Sequence, residues 1–195
     1  MLHIGLTGGI GCGKSTVVLE FQKIGIPCFV ADEVARTYYD DLDFCALIGS
    51  TFGNDVLTPD GHVDKARLAQ KVFSDRQALL HLGSMIHPRV MADFALWADR
   101  QQAPYVIIES AILYEYNLDA NLDKIIAVYL EKEERLRRLE LRDHATRDQL
   151  EARMRNQLSE EEKMQRADFV ILNYEGNPRS RQVLLIDQKL KTVKP

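Results

Sequence analysis

The chain has 195 residues, 46% of them hydrophobic and 28% charged, with 25 Lys and Arg against 29 Asp and Glu for a formal net charge of −4. That is enough chain for a substantial core, its composition is neither collagenous nor low-complexity, and the acidic balance argues against a duplex nucleic-acid binder. No apolar run reaches the ~20 residues a bilayer span needs. The start Met1-Leu2-His3-Ile4-Gly5 lacks the charged segment of an export signal, and Cys12, Cys28 and Cys45 have neither disulfide-framework nor zinc spacing. The expectation is a cytoplasmic protein with no nucleic-acid or membrane partner.

In chain order, Leu2 to Thr7 is a short apolar run stopped by Gly8-Gly9, which suits a buried first strand. Lys14 to Lys23 reads as a helix with Val17, Val18 and Phe21 on one face. Ile26 to Ala31 is the next strand. Glu33 to about Gln102 is mostly helical, broken by a turn-rich stretch from Gly49 to Gly61 in which Thr58-Pro59-Asp60-Gly61 is a turn. Tyr105 to Glu109 and Lys124 to Leu130 are strands. Glu131 to about Gln165 is charged and helical, Asp168 to Leu172 is a final strand, and Pro178 to Lys191 a closing helix. Strands separated by helical crossovers pair in parallel, so the fold class is α/β with a five-stranded parallel sheet.

Gly8-Gly9-Ile10-Gly11-Cys12-Gly13-Lys14-Ser15 matches G-x-x-x-x-G-K-[ST], between a strand and a helix as that phosphate loop requires. The glycines let backbone N–H groups converge on an anion, and the helix beginning at Lys14 adds its own unpaired N–H groups. Lys14 should reach the β- and γ-phosphates of ATP and Ser15 should ligate Mg2+. No Asp is followed three residues later by Gly and no Asn by Lys, which disfavours a switch GTPase. Cys12 lies just before a helix N-terminus, where a lowered thiol pKa and sensitivity to alkylation are expected.

Parallel strands deliver their carboxyl ends to the edge that carries the loop. Glu109 closes the third strand, in position for a Mg2+ carboxylate, and Asp32 follows the second, in position to accept a hydrogen bond from an attacking hydroxyl. Asp32 could instead cap the helix that follows. Arg135, Arg137, Arg138, Arg142, Arg147, Arg153 and Arg155 lie in a block interspersed with acids. A helical flap bearing such arginines can neutralise a transferring phosphoryl group and exclude water, whereas most single members of the block fit surface ion pairs. His87, before Pro88, is expected in an extended or turn backbone, with either a structural or a substrate-binding role.

Three further stretches join the loop in a family likeness. Ile4 to Ser15, Ala31-Asp32 with Ala35-Arg36, His87-Pro88, and Arg142-Asp143, Thr146-Arg147, Arg153, Gln157, Ala167-Asp168, Asn173 and Gly176 together resemble the dephospho-coenzyme A kinases over nearly the whole chain. The resemblance implies phosphorylation of the 3′-hydroxyl of dephospho-coenzyme A by ATP. It implies that Gly11, Cys12, Gly13, Lys14, Ser15 and Thr16 bind the ATP phosphates, that Asp32 is the acceptor-side base, Arg138 the lid arginine, and that Asn173 lies near the adenine. The expected organisation is a single P-loop kinase unit, monomeric, with a core over 1–31, 89–130 and 159–195, a helical acceptor-binding insertion over about 32–88 and a helical lid over about 131–158. Three positions depart from the family pattern: Cys12 for the usual Ser, Val30 for the first Asp of Asp-Ala-Asp, and Ser110 to Glu115 where a Pro-Leu-Leu segment is common. A nucleoside or nucleoside-monophosphate kinase shares the loop and lid, and a non-catalytic ATP-binding regulator shares the loop.

Overall fold

A computed structural model describes residues 1–193, the Phe73 side chain apart. They form two compact units, residues 1–30 with those from 97 onward, and residues 31–96.

The first unit is built on five parallel strands, β1 (Leu2–Thr7), β2 (Cys28–Val30), β3 (Tyr105–Glu109), β4 (Lys124–Tyr129) and β5 (Phe169–Leu172), in the order β2-β3-β1-β4-β5. All five residues of β3 are buried, as expected of a parallel strand covered on both faces. The helix α1 (Lys14–Lys23) lays Val17, Val18 and Phe21 on the sheet, and α9 (Arg179–Leu190) adds Val183, Ile186 and Leu190 to the same core. Each such side chain contributes roughly 1.5–3 kcal/mol when fully buried. The Tyr105 hydroxyl donates to Asp187 at 2.9 Å, and Lys191 pairs with the other carboxylate oxygen at 2.9 Å, so α9 is also pinned through a satisfied polar group. Burial and the Asp187 carboxylate together raise the Tyr105 phenol pKa.

The chain leaves β1 for β2 on one side, whereas β3 leads to β4 on the other. The strand order therefore reverses between β1 and β3, where their carboxyl ends leave a crevice. Leu6 and Val30 both register with Glu109, so the ends of β1, β2 and β3 lie level at that edge.

Beyond β4 the charged helical stretch is divided into three helices, α6 (Lys132–Asp143), α7 (Arg147–Met154) and α8 (Glu160–Arg166). His144 takes a left-handed conformation (φ 50°) to end α6. Thr146 with Gln149, and Ser159 with Glu162, then restart α7 and α8 as reciprocal capping boxes.

The second unit is helical: α2 (Ala31–Thr37), α3 (Leu42–Phe52), α4 (Lys65–Phe73) and most of α5 (Arg76–Ala98), whose last two residues belong to the first unit. Asp41 caps α3 and Asp64 caps α4 through their carboxylates. The turn at Thr58 to Gly61 forms as the sequence suggests, closed by Gly61 N–H to Thr58 C=O at 2.9 Å. Gly49, expected to open the turn-rich stretch, instead lies inside α3, and the chain turns at Gly53. β2 is shorter than expected because α2 begins at Ala31, which puts Asp32 in the first turn of a helix. His87-Pro88 is also helical, in the middle of α5. Pro88 removes one helical hydrogen bond at a cost of about 3 kcal/mol. Leu82, Ile86, Val90, Phe94 and Ala98 nevertheless recur every four residues as one buried stripe, and that packing overrides the local preference.

Candidate active site

The first strand ends in the crevice, and the chain from Gly8 to Gly13 must turn sharply to enter α1. Gly11 (φ +83°) and Gly13 (φ +91°) take the left-handed backbone that this turn needs. Among the described residues, the N–H groups of Gly11, Gly13 and Ser15 have no internal partner, whereas Cys12 N–H bonds back to Gly9 C=O at 3.2 Å. Unpaired donors converging at a helix N-terminus are an anion site. Lys14 Nζ lies 3.5 Å from Glu109 Oε1, both side chains nearly buried, so the cation of the loop and the carboxylate ending β3 meet in the crevice. Ser15 is exposed and Thr16 half-buried in the first turn of α1. Together these residues offer backbone donors, an ammonium, a hydroxyl and a carboxylate within one short arc, which is the equipment for a polyphosphate and a hard cation. Ser15 and Glu109 are oxygen donors of the kind Mg2+ takes.

The Cys12 side chain points the other way. It is fully buried among Leu6, Val17, Ile126 and their neighbours. Burial raises the thiol pKa and outweighs the opposing effect of Lys14. The expected activated thiol is therefore absent, and Cys12 contributes its backbone and an apolar side chain.

Asn173 follows β5 and is also buried, its amide donating to Cys12 C=O at 2.7 Å and accepting from Arg179 at 2.7 Å. Both ends of the side chain are thus used in bracing the loop from below. Arg138, on α6, is the member of the arginine block that reaches Gly13: its Nη1 is 3.9 Å from where a Cβ on that residue would stand. Glu134 holds its Nε at 2.8 Å. Arg137 and Arg138 keep the Glu134 carboxyl down at about 2. Beside them opens a cavity of about 590 Å3 lined by Arg137, Arg138, Tyr174, Asn177 and Arg179 among others.

Arg142 and Arg153 form surface pairs with Asp143, and Arg147 with Glu133 and Glu151, the ordinary role expected for most of the block. Arg135 is the exception. It is 5% exposed, and it pairs with the equally buried Glu160 at 2.9 Å while donating from Nε to Ile10 C=O at 3.0 Å. Glu160 accepts from Gly9 N–H at 3.1 Å, and Gln157 accepts from Ile10 N–H at 3.0 Å. Sequence reasoning did not single out Arg135, Glu160 or Arg179. A usable sign for Arg135 was present: it shares a helix face with Leu139, so a charge stands on an apolar stripe and needs a partner.

The Ser110 to Glu115 departure is held by a fully buried cation. Lys163 Nζ lies 2.6 Å from Ala111 C=O and 2.8 Å from Glu115 Oε1, which also accepts from Leu158 N–H. In the second unit, Asp32 is exposed in the first turn of α2 and is not its cap. It faces His87 electrostatically. Burial depresses the His87 pKa to about 4, and Asp32 opposes that shift.

The dephospho-CoA kinase family model matches residues 2–178. A dephospho-CoA kinase of Idiomarina loihiensis is 36% identical over 171 residues, covering 87% of this chain and 85% of its own. One of Carboxydothermus hydrogenoformans is 36% identical over 200 residues, covering 96% and 94%. Among solved structures, TT1252 from Thermus thermophilus superposes with a TM-score of 0.86 at 31% identity, over 96% of each chain. The Campylobacter jejuni dephospho-CoA kinase gives 0.67 at 26%, over 97% of this chain and 96% of its own. A shikimate kinase from Acinetobacter baumannii, at 14% identity and a TM-score of 0.54, shares the P-loop kinase fold alone. With its phosphate loop, its Lys14–Glu109 pair and its arginine-bearing α6 in this arrangement, the chain belongs to the dephospho-CoA kinase family.

Proposed function

We propose that this protein transfers the γ-phosphoryl group of ATP to the 3′-hydroxyl of dephospho-coenzyme A, giving coenzyme A and ADP. The observation that carries the reading is a phosphate loop with open N–H donors at Gly11, Gly13 and Ser15, in a chain that matches the family over residues 2–178. The loop and Lys14 bind the β- and γ-phosphates. Arg138 stands over the same turn to meet charge developing on the transferring group. The cavity beside Arg138 and Tyr174 takes the nucleoside of ATP, with Asn173 behind it holding Arg179 of its lining. Ser15 and Glu109 would hold Mg2+, which supplies charge neutralisation on the phosphate oxygens. Glu109 is the exchangeable partner here, since Lys14 leaves it for phosphate when ATP binds.

Phosphoryl transfer has a loose transition state, so alignment and charge stabilisation do most of the catalysis. Asp32 is the acceptor-side base: it orients the 3′-hydroxyl and takes its proton late. Residues about 32–88 bind the acceptor, about 131–158 form the lid, and the remainder is the core. The enzyme works as a monomer in the cytoplasm without nucleic acid or membrane. No helix among the described residues is long and apolar enough to cross a bilayer.

Turnover of dephospho-coenzyme A, AMP, GMP and adenosine with Mg-ATP tests the reading. Dephospho-coenzyme A is expected to be phosphorylated far faster than the others, and comparable turnover of AMP would replace this reading with a monophosphate kinase. In the same assay Asp32→Asn is expected to cut turnover by about 10²–10⁴ with ATP affinity held within a few-fold. Near-parental turnover would remove Asp32 from the chemistry.

A further inference from the structure

The glycines at the front of the phosphate loop are explained by what presses on them. A Cβ on Gly9 would collide with Glu160 Oε1 and stand 2.7 Å from Arg135 Nη2. A Cβ on Gly11 would stand 2.9 Å from Leu139 and 3.2 Å from Arg135 C=O. Ile10, between them, packs against the small apolar cluster of α6 and α7 formed by Leu136, Leu139 and Leu150, which Ala145 and Met154 also flank. The loop segment Gly9-Ile10-Gly11 is therefore a docking surface for these helices as well as the approach to the anion site.

Four polar contacts fix that dock. Arg135 bridges Glu160 and Ile10 C=O, Glu160 accepts from Gly9 N–H, and Gln157 accepts from Ile10 N–H. All four groups are buried or half-buried. A carboxylate placed this close to a phosphate site would repel the ligand if it were unneutralised, and Arg135 neutralises it. One turn further along α6, Arg138 reaches over Gly13. The anchor and the reaching arginine are three positions apart on one rigid helix, so the position of Arg135 sets the reach of Arg138.

We propose that Arg135 and Glu160 are positioning residues that lock the front of the phosphate loop to α6, so that the grip on the ATP phosphates and the presentation of Arg138 form and fail together. The proposal deepens the kinase reading and rests on it for the identity of the nucleotide.

A double-mutant cycle on the full chain tests it. Arg135→Met, Arg138→Met and the double variant are compared with the parent in their dissociation constants for a non-hydrolysable Mg-ATP analogue, with circular dichroism and Tm as the folding control. Each single change is expected to weaken analogue binding by about tenfold, the loss expected of a charge-assisted contact. The second change should add less than about threefold to the first, because a misplaced Arg138 has little left to lose. In turnover, Arg135→Met is expected to raise KM for ATP and to lower kcat by about 10–10², the usual effect of a small misplacement, while KM for the acceptor stays within about twofold. Arg135→Lys keeps the charge but not the fork that spans Glu160 and Ile10, and it repeats the cycle should Arg135→Met not fold. Glu160→Gln keeps an acceptor for Gly9 N–H and should bind the analogue better than Glu160→Ala. Multiplicative losses in the cycle, or parental analogue binding in a folded Arg135 variant, overturn the proposal and reduce the pair to a stability element. Equal losses in Glu160→Gln and Glu160→Ala do the same. A parent that binds the analogue yet leaves dephospho-coenzyme A unphosphorylated overturns the acceptor reading alone, since the cycle is read on nucleotide binding.

Discussion

The Cys12 thiol sits two residues before Lys14, within the field of a helix N-terminus and an ammonium, and both favour a thiolate. Its side chain is nonetheless buried in the apolar core, where a charged sulfur has no solvation, and the pKa rises. Iodoacetamide at neutral pH is therefore expected to leave activity intact over the time an exposed thiol would react. Cys12→Ser should match the parent, with or without ATP. An inactivation that ATP prevents and Cys12→Ser abolishes would show that the thiol is reached. The same contrast marks how far single residues were legible in the sequence. The turn at Gly11 to Gly13 and the start of α1 were readable because such a loop is a local arrangement, determined by a few adjacent dihedrals and one helix start. The direction of the Cys12 side chain was not, because it depends on Leu6, Val17 and Ile126 arriving from three elements. Arg135 and Glu160 were hidden for a related reason: Glu160 meets Gly9 across 151 positions of chain, and no spacing rule spans that distance.

At the scale of elements, the five strands and the helices at either end of the first unit follow from apolar runs and periodicity alone, because each is buried as a whole against the sheet. The misreadings fall where packing between elements overrules a local rule. His87-Pro88 reads as a break, yet α5 continues through it because its stripe from Leu82 to Ala98 is buried on both sides of the proline. The docking of α6 on the loop leads to a prediction at this scale. Gly11→Ala forces a side chain into left-handed backbone, a cost of about 1–2 kcal/mol, and presses its Cβ on Leu139. A lower Tm is expected together with about tenfold weaker binding of the ATP analogue, the second because α6 and the loop shift apart. A lowered Tm with unchanged nucleotide binding would mean that α6 tolerates the displacement.

Stability against pH belongs to the whole molecule, and His87 governs its upper window. Folded, His87 titrates near 4; unfolded, near 6.5. Below 6.5 the unfolded chain binds a proton that the folded chain refuses, so stability is complete above that pH and falls as the pH drops towards 4. At about 1.4 kcal/mol per unit, the full loss is on the order of 3 kcal/mol. The carboxyls of Glu133, Glu134, Asp143 and Glu151 are held low by their arginine and lysine partners, so their contribution is lost only at lower pH, as each is protonated. Denaturant unfolding of the parent and of His87→Gln between pH 7.5 and 4 separates the two windows. The variant should lose markedly less stability over this range, and parallel curves would take His87 out of the account.

Ile10 belongs to two structures at once, as a member of the phosphate-binding turn and as a side chain closing the apolar cluster of α6 and α7. The pair of helices α6 and α7 is thus not a self-contained module. A segment transplanted here from another kinase would arrive without the residue that completes its interior, and a loop exchanged alone would leave an empty socket between α6 and α7. The two can be engineered only as a pair, which makes Ile10 the point at which any exchange of loop or helices has to match.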